Sequence, residues 1–434
     1  MKTIAVFGVG YVGLTTGACL AEMGYRVVGC DVNETKINLL RQAQIPFSEP
    51  GLAPLVERNL SAGRLSFTAD GREVLHDAEM VFICVGTPTG PSGAADLSQV
   101  EAAVRLVASA ATRPLIVILK STIPPGGTAE HFAEILAREL PPQLTAPIVV
   151  NPEFLREGSA VHDFFFPDRV VVGAWDRAAG EQVAALYAPL RCPVLLTDPA
   201  SAQLTKYASN AFLAAKISFI NEVGRIAEQV GANVYAVAQG MGLDERIGGD
   251  FLEAGLGYGG SCFPKDVKAL AAIAEEHGSS SALLGAVMDI NAGQRRLAVE
   301  KLRDALGGLE GKNLCVLGLA FKADTDDVRE APALDVISML CDQGASVRTY
   351  DPVAAARAQE VLPPHSRLLY CQDAYEAATG SDAAFIATDW KEFRDLDWNR
   401  LGSLMKGNTI LDGRGLISPQ QMRENGFRCL ALAS

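Results

Sequence analysis

The run Gly259-Gly260-Ser261-Cys262-Phe263-Pro264-Lys265-Asp266 places a thiol in a glycine-bounded turn beside a lysine and an aspartate. Glycines let a ligand approach the backbone closely. A nearby cation or helix N-terminus favours the thiolate, which is the nucleophilic form of cysteine. The chain opens with a second chemical signal, Gly8-Val9-Gly10-Tyr11-Val12-Gly13, the spacing that seats a dinucleotide pyrophosphate on a helix N-terminus. An activated cysteine together with a redox cofactor predicts an oxidation that passes through a covalent thioester.

The glycine fingerprint follows a short apolar strand and precedes an apolar helical run containing Leu14, Ala18, Leu20 and Ala21. Asp31 ends the next strand, 18 residues after Gly13. A carboxylate there can accept from a ribose 2′-hydroxyl and would repel a 2′-phosphate, which favours NAD over NADP. Lys206 and Asn210 lie four residues apart and hence on one helical face. Their stripe is mainly apolar, and on that pattern alone a solvated helix edge is the favoured reading. The functional alternative gives Lys206 a developing alkoxide to stabilise or a water to position.

Two strand-end loops add candidates. Asn151-Pro152-Glu153-Phe154-Leu155-Arg156-Glu157-Gly158 holds two carboxylates four residues apart, suited to orienting a water or contacting a cofactor. Ser121-Thr122 offers hydroxyls to such a water. Further on, Phe321-Lys322 and Asp326-Asp327-Val328-Arg329-Glu330 follow another strand. Lys322 and Arg329 are either local positive charges for an anionic ligand or members of an ion-pair cluster with Asp326 and Asp327.

These residues need a scaffold that gathers strand ends. The first 200 residues or so alternate short apolar runs with helical segments, the pattern of a parallel α/β sheet. Strands are expected at Lys2 to Gly8, Tyr25 to Cys30, Met80 to Val85, Leu115 to Lys120, Ile148 to Asn151 and Arg169 to Val172. Asp198 as N-cap and Pro199 at the first helical position open a long helix to about Gly231. Its apolar residues cover more than one face, as in a connector between domains or a subunit interface. From Gly311 a second alternation begins, with strands at Lys312 to Leu317, Ser346 to Tyr350, Ala383 to Ala387 and Thr409 to Leu411. The fold class is therefore α/β, with two Rossmann-like doubly wound domains joined by a helical middle.

The 434 residues carry a net charge of −13. That balance argues against nucleic acid or an anionic membrane surface as a partner, and no apolar run is long enough to span a bilayer. Nine cysteines without a C-x-x-C pair argue against a disulfide framework or a zinc site and point to a reducing cytoplasm. Cys84 and Cys315 sit in apolar strand runs and read as core. The five histidines are scattered outside the loops singled out above, and there is neither a Y-x-x-x-K pair nor an H-E-x-x-H motif. No metal is expected.

The combination of motifs resembles the UDP-glucose/GDP-mannose dehydrogenase family. The matching segments are G8-V-G-Y-V-G13, K120-S-T-I-P-P-G-G-T128, N151-P-E-F-L-R-E-G158, K206-Y-A-S-N-A-F-L-A-A-K-I-S-F-I-N-E222, G255-L-G-Y-G-G-S-C-F-P-K-D266 and F321-K-A-D-T-D-D-V-R329, in family order. The second is one residue longer than the usual pattern. The resemblance implies an NAD-binding domain at 1–198, a central helical dimerisation domain at 199–300 and a UDP-sugar-binding domain at 301–434.

It further implies a four-electron oxidation of a sugar C6 alcohol to a carboxylate with two NAD. Cys262 adds to the aldehyde, the adduct is oxidised to a thioester, and water hydrolyses it. Lys206, Asn210 and Asp266 resemble the groups that stabilise the oxyanion and handle water, and Thr122 and Glu153 those that hold or activate it. Gly8, Gly10, Tyr11, Val12, Gly13, Asp31, Lys36, Thr87, Thr122, Glu157, Lys265 and Arg329 resemble cofactor contacts. Glu153, Phe154, Leu155, Lys206, Asn210, Phe251, Leu252, Gly255, Gly259 and Lys322 resemble the substrate cradle. Arg246 resembles an arginine that reaches a neighbouring subunit across a homodimer. The UDP-glucose branch fits best. Alternatives are oxidation of GDP-mannose or a UDP-N-acetylhexosamine, a two-electron hydroxy-acid dehydrogenase with Cys262 incidental, or a non-catalytic NAD-sensing protein.

Overall fold

Fourteen strands form two sheets in the computed structural model, which describes residues 2–90 and 93–432. The first sheet contains β1 (Thr3–Phe7), β2 (Arg26–Cys30), β3 (Leu65–Thr68), β4 (Met80–Ile83), β5 (Ile116–Leu119), β6 (Ile148–Val150), β7 (Val170–Ala174) and β8 (Val194–Thr197). Its order is β3-β2-β1-β4-β5-β6-β7-β8. The second contains β9 (Asn313–Leu317), β10 (Ser346–Tyr350), β11 (Leu368–Tyr370), β12 (Ala383–Ile386), β13 (Thr409–Asp412) and β14 (Arg428–Ala431), ordered β11-β10-β9-β12-β13-β14. Both contain the 3-2-1-4-5-6 order of a doubly wound dinucleotide fold.

The central strands are buried on both faces, so they read as continuous apolar runs. In β1, Ile4 and Val6 enter one core, while Ala5 and Phe7 enter the core on the opposite face. One departure from an all-parallel sheet occurs where β7 runs antiparallel to β6, pairing Val149 with Ala174 and Val150 with Gly173. Four strands lie outside the expected set: β3, β8, β11 and β14. They are the four sheet edges. β3 alternates buried and exposed residues, and β8 exposes Leu195 and Leu196. In β3 the polar Ser66 breaks the apolar run that marks its central neighbours, and β11 has only three residues.

The long helix spans Pro199–Val230. Asp198 caps it as expected, its Oδ1 accepting from the Ser201 backbone N–H at 2.8 Å. Helices Val234–Gly242, Phe263–Glu276 and Ala282–Leu306 complete the helical middle. The chain divides into two units, residues 1–209 with 272–277 and residues 210–271 with 278–434. The helical middle is thereby shared between them. Among the described residues no helix is long and apolar enough to cross a membrane.

Candidate active site

In the first unit, the fingerprint turn leaves β1 and enters helix Tyr11–Glu22. A Cβ on Gly13 would lie 1.8 Å from the Gly8 carbonyl oxygen, so the helix approaches the turn only with glycine there. At Gly10 a Cβ would meet nothing within 4 Å. Open space therefore faces a helix N-terminus that has neither a side-chain cap nor an acid in its first turn, which suits an anion such as pyrophosphate. The Asp31 carboxylate accepts from Val9 N at 3.1 Å, Asn33 N at 3.0 Å and Lys36 Nζ at 2.7 Å. A carboxylate offers about four lone-pair sites, so capacity for a ribose hydroxyl remains. Thr87 is buried after β4. These residues fit a bound NAD.

Tyr11 is tied into the same region by an acid that the sequence did not single out. Glu49 accepts from the Tyr11 hydroxyl, from Gly158 N at 2.7 Å and from Ala160 N at 2.7 Å. Gly158 N also donates to the Tyr11 oxygen at 3.0 Å. The turn after β6, including half-buried Glu157, is thus fastened to the first turn of the dinucleotide helix. Burial and the Glu49 hydrogen bond raise the Tyr11 pKa, keeping it a phenol. A lone glutamate between loops gives no periodic signal by which to find it.

The Lys206 ammonium donates to Glu153 Oε1 at 2.9 Å, and both side chains are almost completely enclosed. The solvated-edge reading of Lys206 and Asn210 is therefore corrected, because Lys206 is 3% and Asn210 6% exposed. Periodicity on the helix could not show that a carboxylate from another loop meets the ammonium. Burial pushes the Glu153 pKa upward, but the Lys206 charge, its hydrogen bond, the Leu155 N–H at 2.6 Å and Lys120 together hold it below the usual carboxylate range. Phe154 packs beneath, its ring centroid 5.5 Å from Lys206 Nζ and 3.7 Å from the Arg169 guanidinium carbon. Thr122 is half-buried in the loop after β5. Its neighbour Ser121 is engaged elsewhere, donating to the Val85 and Ile83 carbonyls at 2.7 and 3.2 Å. Gln203 Nε2 ties the loop to the long helix by donating to the Pro124 carbonyl at 3.1 Å.

Lys120 also escaped the sequence reading, although a lysine ending an apolar strand run was a usable signal. It is 5% exposed and donates to Asn151 Oδ1 at 3.2 Å. Burial pulls its pKa down to about 8.

The thiol lies in the second unit. Cys262 is partly exposed and immediately precedes helix Phe263–Glu276, its carbonyl accepting from Asp266 N at 2.9 Å. The helix N-terminus favours negative charge at that position. Asp266, 1% exposed, accepts from Asn210 Nδ2 at 2.6 Å on one oxygen and from Lys265 Nζ at 2.6 Å on the other. Lys265 is therefore joined to Asp266, whereas the sequence reading had sent the two toward separate ligands. A Cβ on Gly259 would come within 2.3 Å of the Glu330 carbonyl, so the loop before the thiol packs directly against the segment that follows β9.

The loop 255–258 is held by buried side chains. Asn221 Oδ1 accepts from Gly255 N, Gln294 Nε2 donates to Gly255 O, and Asn291 brackets Tyr258 through its N–H and carbonyl. Arg414 Nη1 adds a bond to the Gly257 carbonyl while its other nitrogens take Ala387 O and Phe321 O. Leu252 is buried, and Phe251 adopts φ +66° with its ring 5.9 Å from that of Phe263. A phenylalanine in the left-handed region is strained, and such strain gathers at ligand sites. Lys322 lies over the Phe321 ring at 5.7 Å. Arg329 is exposed and pairs with Asp327, and Asp326 meets Arg357. Arg246 is also exposed, its guanidinium on Asp244.

The second sheet treats its own strand-end acid differently. Asp351, after β10, accepts from Leu319 N, Ala320 N and the Trp390 indole on Oδ2, and from Val353 N and Ala354 N on Oδ1.

A dinucleotide turn, a buried lysine–glutamate pair and a thiol at a helix N-terminus fit an NAD-dependent dehydrogenase. The chain belongs to the UDP-glucose/GDP-mannose dehydrogenase family, whose NAD binding domain matches residues 2–191, central domain 200–293 and UDP binding domain 315–419. It is 44% identical over 427 residues to the UDP-glucose 6-dehydrogenase TuaD of Bacillus subtilis, covering 98% of this chain and 92% of that one. It is also 44% identical to the UDP-glucose 6-dehydrogenase of Rhizobium meliloti, covering 98% of each. Among solved structures, a UDP-glucose dehydrogenase from Pyrobaculum islandicum shares 42% identity with TM-score 0.93, covering 100% of this chain and 98% of the other. A UDP-D-ManNAc dehydrogenase from Pyrococcus horikoshii shares 30% with TM-score 0.87, covering 99% of each.

Proposed function

We propose that the chain oxidises UDP-glucose to UDP-glucuronate through a thioester on Cys262. The position of Cys262 at a helix N-terminus, one helical turn before a buried aspartate held by Asn210 and Lys265, carries this reading. Full-length similarity to UDP-glucose 6-dehydrogenases supports the choice of sugar.

Bound NAD supplies the hydride acceptor for both oxidations, held by the turn at Gly8, Gly10, Tyr11, Val12 and Gly13 with Asp31, Lys36, Thr87, Thr122, Glu157, Lys265 and Arg329. The Lys206 ammonium stabilises the oxyanion at C6, and Asn210 contributes an amide donor. The Cys262 sulfur adds to the C6 aldehyde, forming a C–S bond and a thiohemiacetal. Oxidation of that adduct gives the thioester. Glu153, with Thr122, orients the water that cleaves the C–S bond, and Asp266 takes part in moving its protons. The balance is one alcohol, two NAD and one water giving one carboxylate, two NADH and three protons. A covalent intermediate keeps the aldehyde from escaping between oxidations.

Phe251, Leu252, Gly255, Gly259 and Lys322 form the UDP-sugar cradle, together with Phe154 and Leu155. We assign NAD binding to 1–198, dimerisation to 199–300 and UDP-sugar binding to 301–434. Leu204, Phe212, Phe219 and Ile226 recur every seven or eight residues along the long helix and are 46–67% exposed. A homodimer would cover this stripe, with Arg246 reaching the neighbouring subunit. The protein works in the cytoplasm, where its nine cysteines remain reduced.

NADH release assayed against a panel of UDP- and GDP-sugars tests the proposal. UDP-glucose should react best, with two NADH per uronate. One NADH per substrate would overturn the thioester scheme, and a faster GDP-sugar would overturn the sugar assignment.

A further inference from the structure

We infer that Lys120 is a positioning residue for the Lys206–Glu153 pair. It anchors the turn that carries Glu153 and adds a second positive charge facing that carboxylate. The inference rests on the proposed roles of Lys206 and Glu153.

Lys120 follows the last residue of β5 and is 5% exposed. Its ammonium donates to Asn151 Oδ1 at 3.2 Å and to Asn151 O at 3.4 Å. Asn151 is itself 1% exposed, receiving the Tyr187 hydroxyl at 2.6 Å and donating to Val171 O at 2.8 Å. Glu153 lies two residues further along the same turn. Lys120 is thus fastened to the base of the loop whose carboxylate grips Lys206.

The groups facing Lys120 come from every surrounding element. Cys84 follows β4, Glu153 lies in the turn after β6, Lys206 is on the long helix, and the Tyr187 ring centroid is 5.9 Å from Nζ. Burial pushes the Cys84 thiol up to about 12 and the Tyr187 phenol higher still, so both are neutral near pH 7. The charged set is therefore two lysines and one glutamate. Both ammonium groups favour the ionised form of Glu153, the Lys120 charge adding to that of Lys206. A buried ammonium costs desolvation energy, and a purely structural lysine here could be replaced by an apolar chain of similar length.

The test is steady-state NADH production from UDP-glucose across the pH range by Lys120→Met and Lys120→Arg. For Lys120→Met, kcat should fall about tenfold or more with KM for UDP-glucose changed less than about threefold. The acid limb of its kcat profile, set by ionisation of Glu153, should move up by roughly half a pH unit or more, while thermal stability is kept or raised. Lys120→Arg should restore the limb and most of kcat. A Lys120→Met profile superimposing on that of the unaltered enzyme, or Lys120→Arg no better than Lys120→Met, overturns the inference. If Lys120→Met does not fold, Lys120→Gln keeps a donor to Asn151 and removes only the charge, and an unshifted limb there is equally decisive. The ratio of NADH to uronate, measured in the same variants, reports separately on the underlying scheme.

Discussion

Asn210 and Asp266 are joined by a 2.6 Å hydrogen bond from amide to carboxylate, with both side chains buried. The bond ties the helix that Cys262 opens, which carries Asp266, to the long helix that carries Asn210. Asp266→Asn preserves volume but removes the proton-accepting charge, and should lower kcat by about 10²-fold to 10⁴-fold. Asp266→Ala should in addition lose about 1–3 kcal/mol of stability, since the buried Asn210 amide is left without its acceptor. Steady-state kinetics and urea unfolding on both variants separate the two effects.

Cys262→Ser should bind UDP-glucose with little change in affinity yet make uronate at least about 10³-fold more slowly, because a hydroxyl is a poor nucleophile at its ordinary pKa. Calorimetric titration measures the binding, and mass spectrometry of acid-quenched enzyme should find the sugar adduct on the unaltered protein alone. Undiminished turnover in the serine variant refutes the nucleophile assignment.

Asp31→Ser should raise KM for NAD about tenfold or more, the worth of a hydrogen bond to a charged group. It should also improve the use of NADP by removing the carboxylate that a 2′-phosphate would meet. KM for UDP-glucose should stay the same. Kinetics with both cofactors check all three outcomes.

The pH dependence of stability follows from two buried groups of opposite charge, both with lowered pKa values, so stability rises with pH through each window. Glu153 is held below the carboxylate range. The native state binds fewer protons there than the unfolded chain, so its contribution is complete above about pH 4.3 and is lost as pH falls through the depressed value. Lys120 titrates near 8 when folded and at 10.5 ordinarily. Between those values the unfolded chain holds the extra proton, so stability relative to Lys120→Met should rise with pH across that window. Paired urea titrations of wild type and Lys120→Met at neutral and alkaline pH measure the difference, and a gap that widens with pH contradicts it.

Paired substitutions Phe212→Glu and Phe219→Glu should convert the predicted dimer to a monomer, since each places a charge in the apolar stripe of the long helix. Sedimentation of wild type and variant gives the masses. A wild-type protein that already sediments as a monomer would refute the dimer.

Local pattern carried the sequence reading where a residue's role is set by its neighbours in the chain. Gly13, Asp31 and the Asp198 cap were legible because turns, strand ends and helix starts have fixed spacing. The central strands were legible because burial on both faces demands an unbroken apolar run. The edge strands β3, β8, β11 and β14 were not, since one open side relaxes that demand. The same distinction applies in the site. Cys262 stood out among glycines, but the enclosure of Lys206 depended on Glu153, 53 positions away. Glu49 and Arg414 act by collecting backbone groups from distant loops, and no short-range spacing encodes such a role.

Asp351 serves five donors, including the Trp390 indole, with about four lone-pair sites. It is saturated, whereas its counterpart Asp31 keeps room for one more. A ribose diol placed at Asp351 as one would be at Asp31 would find no free lone pair on it. The two sheets thus share a strand order while their strand-end acids, Asp31 and Asp351, offer different hydrogen-bonding capacity.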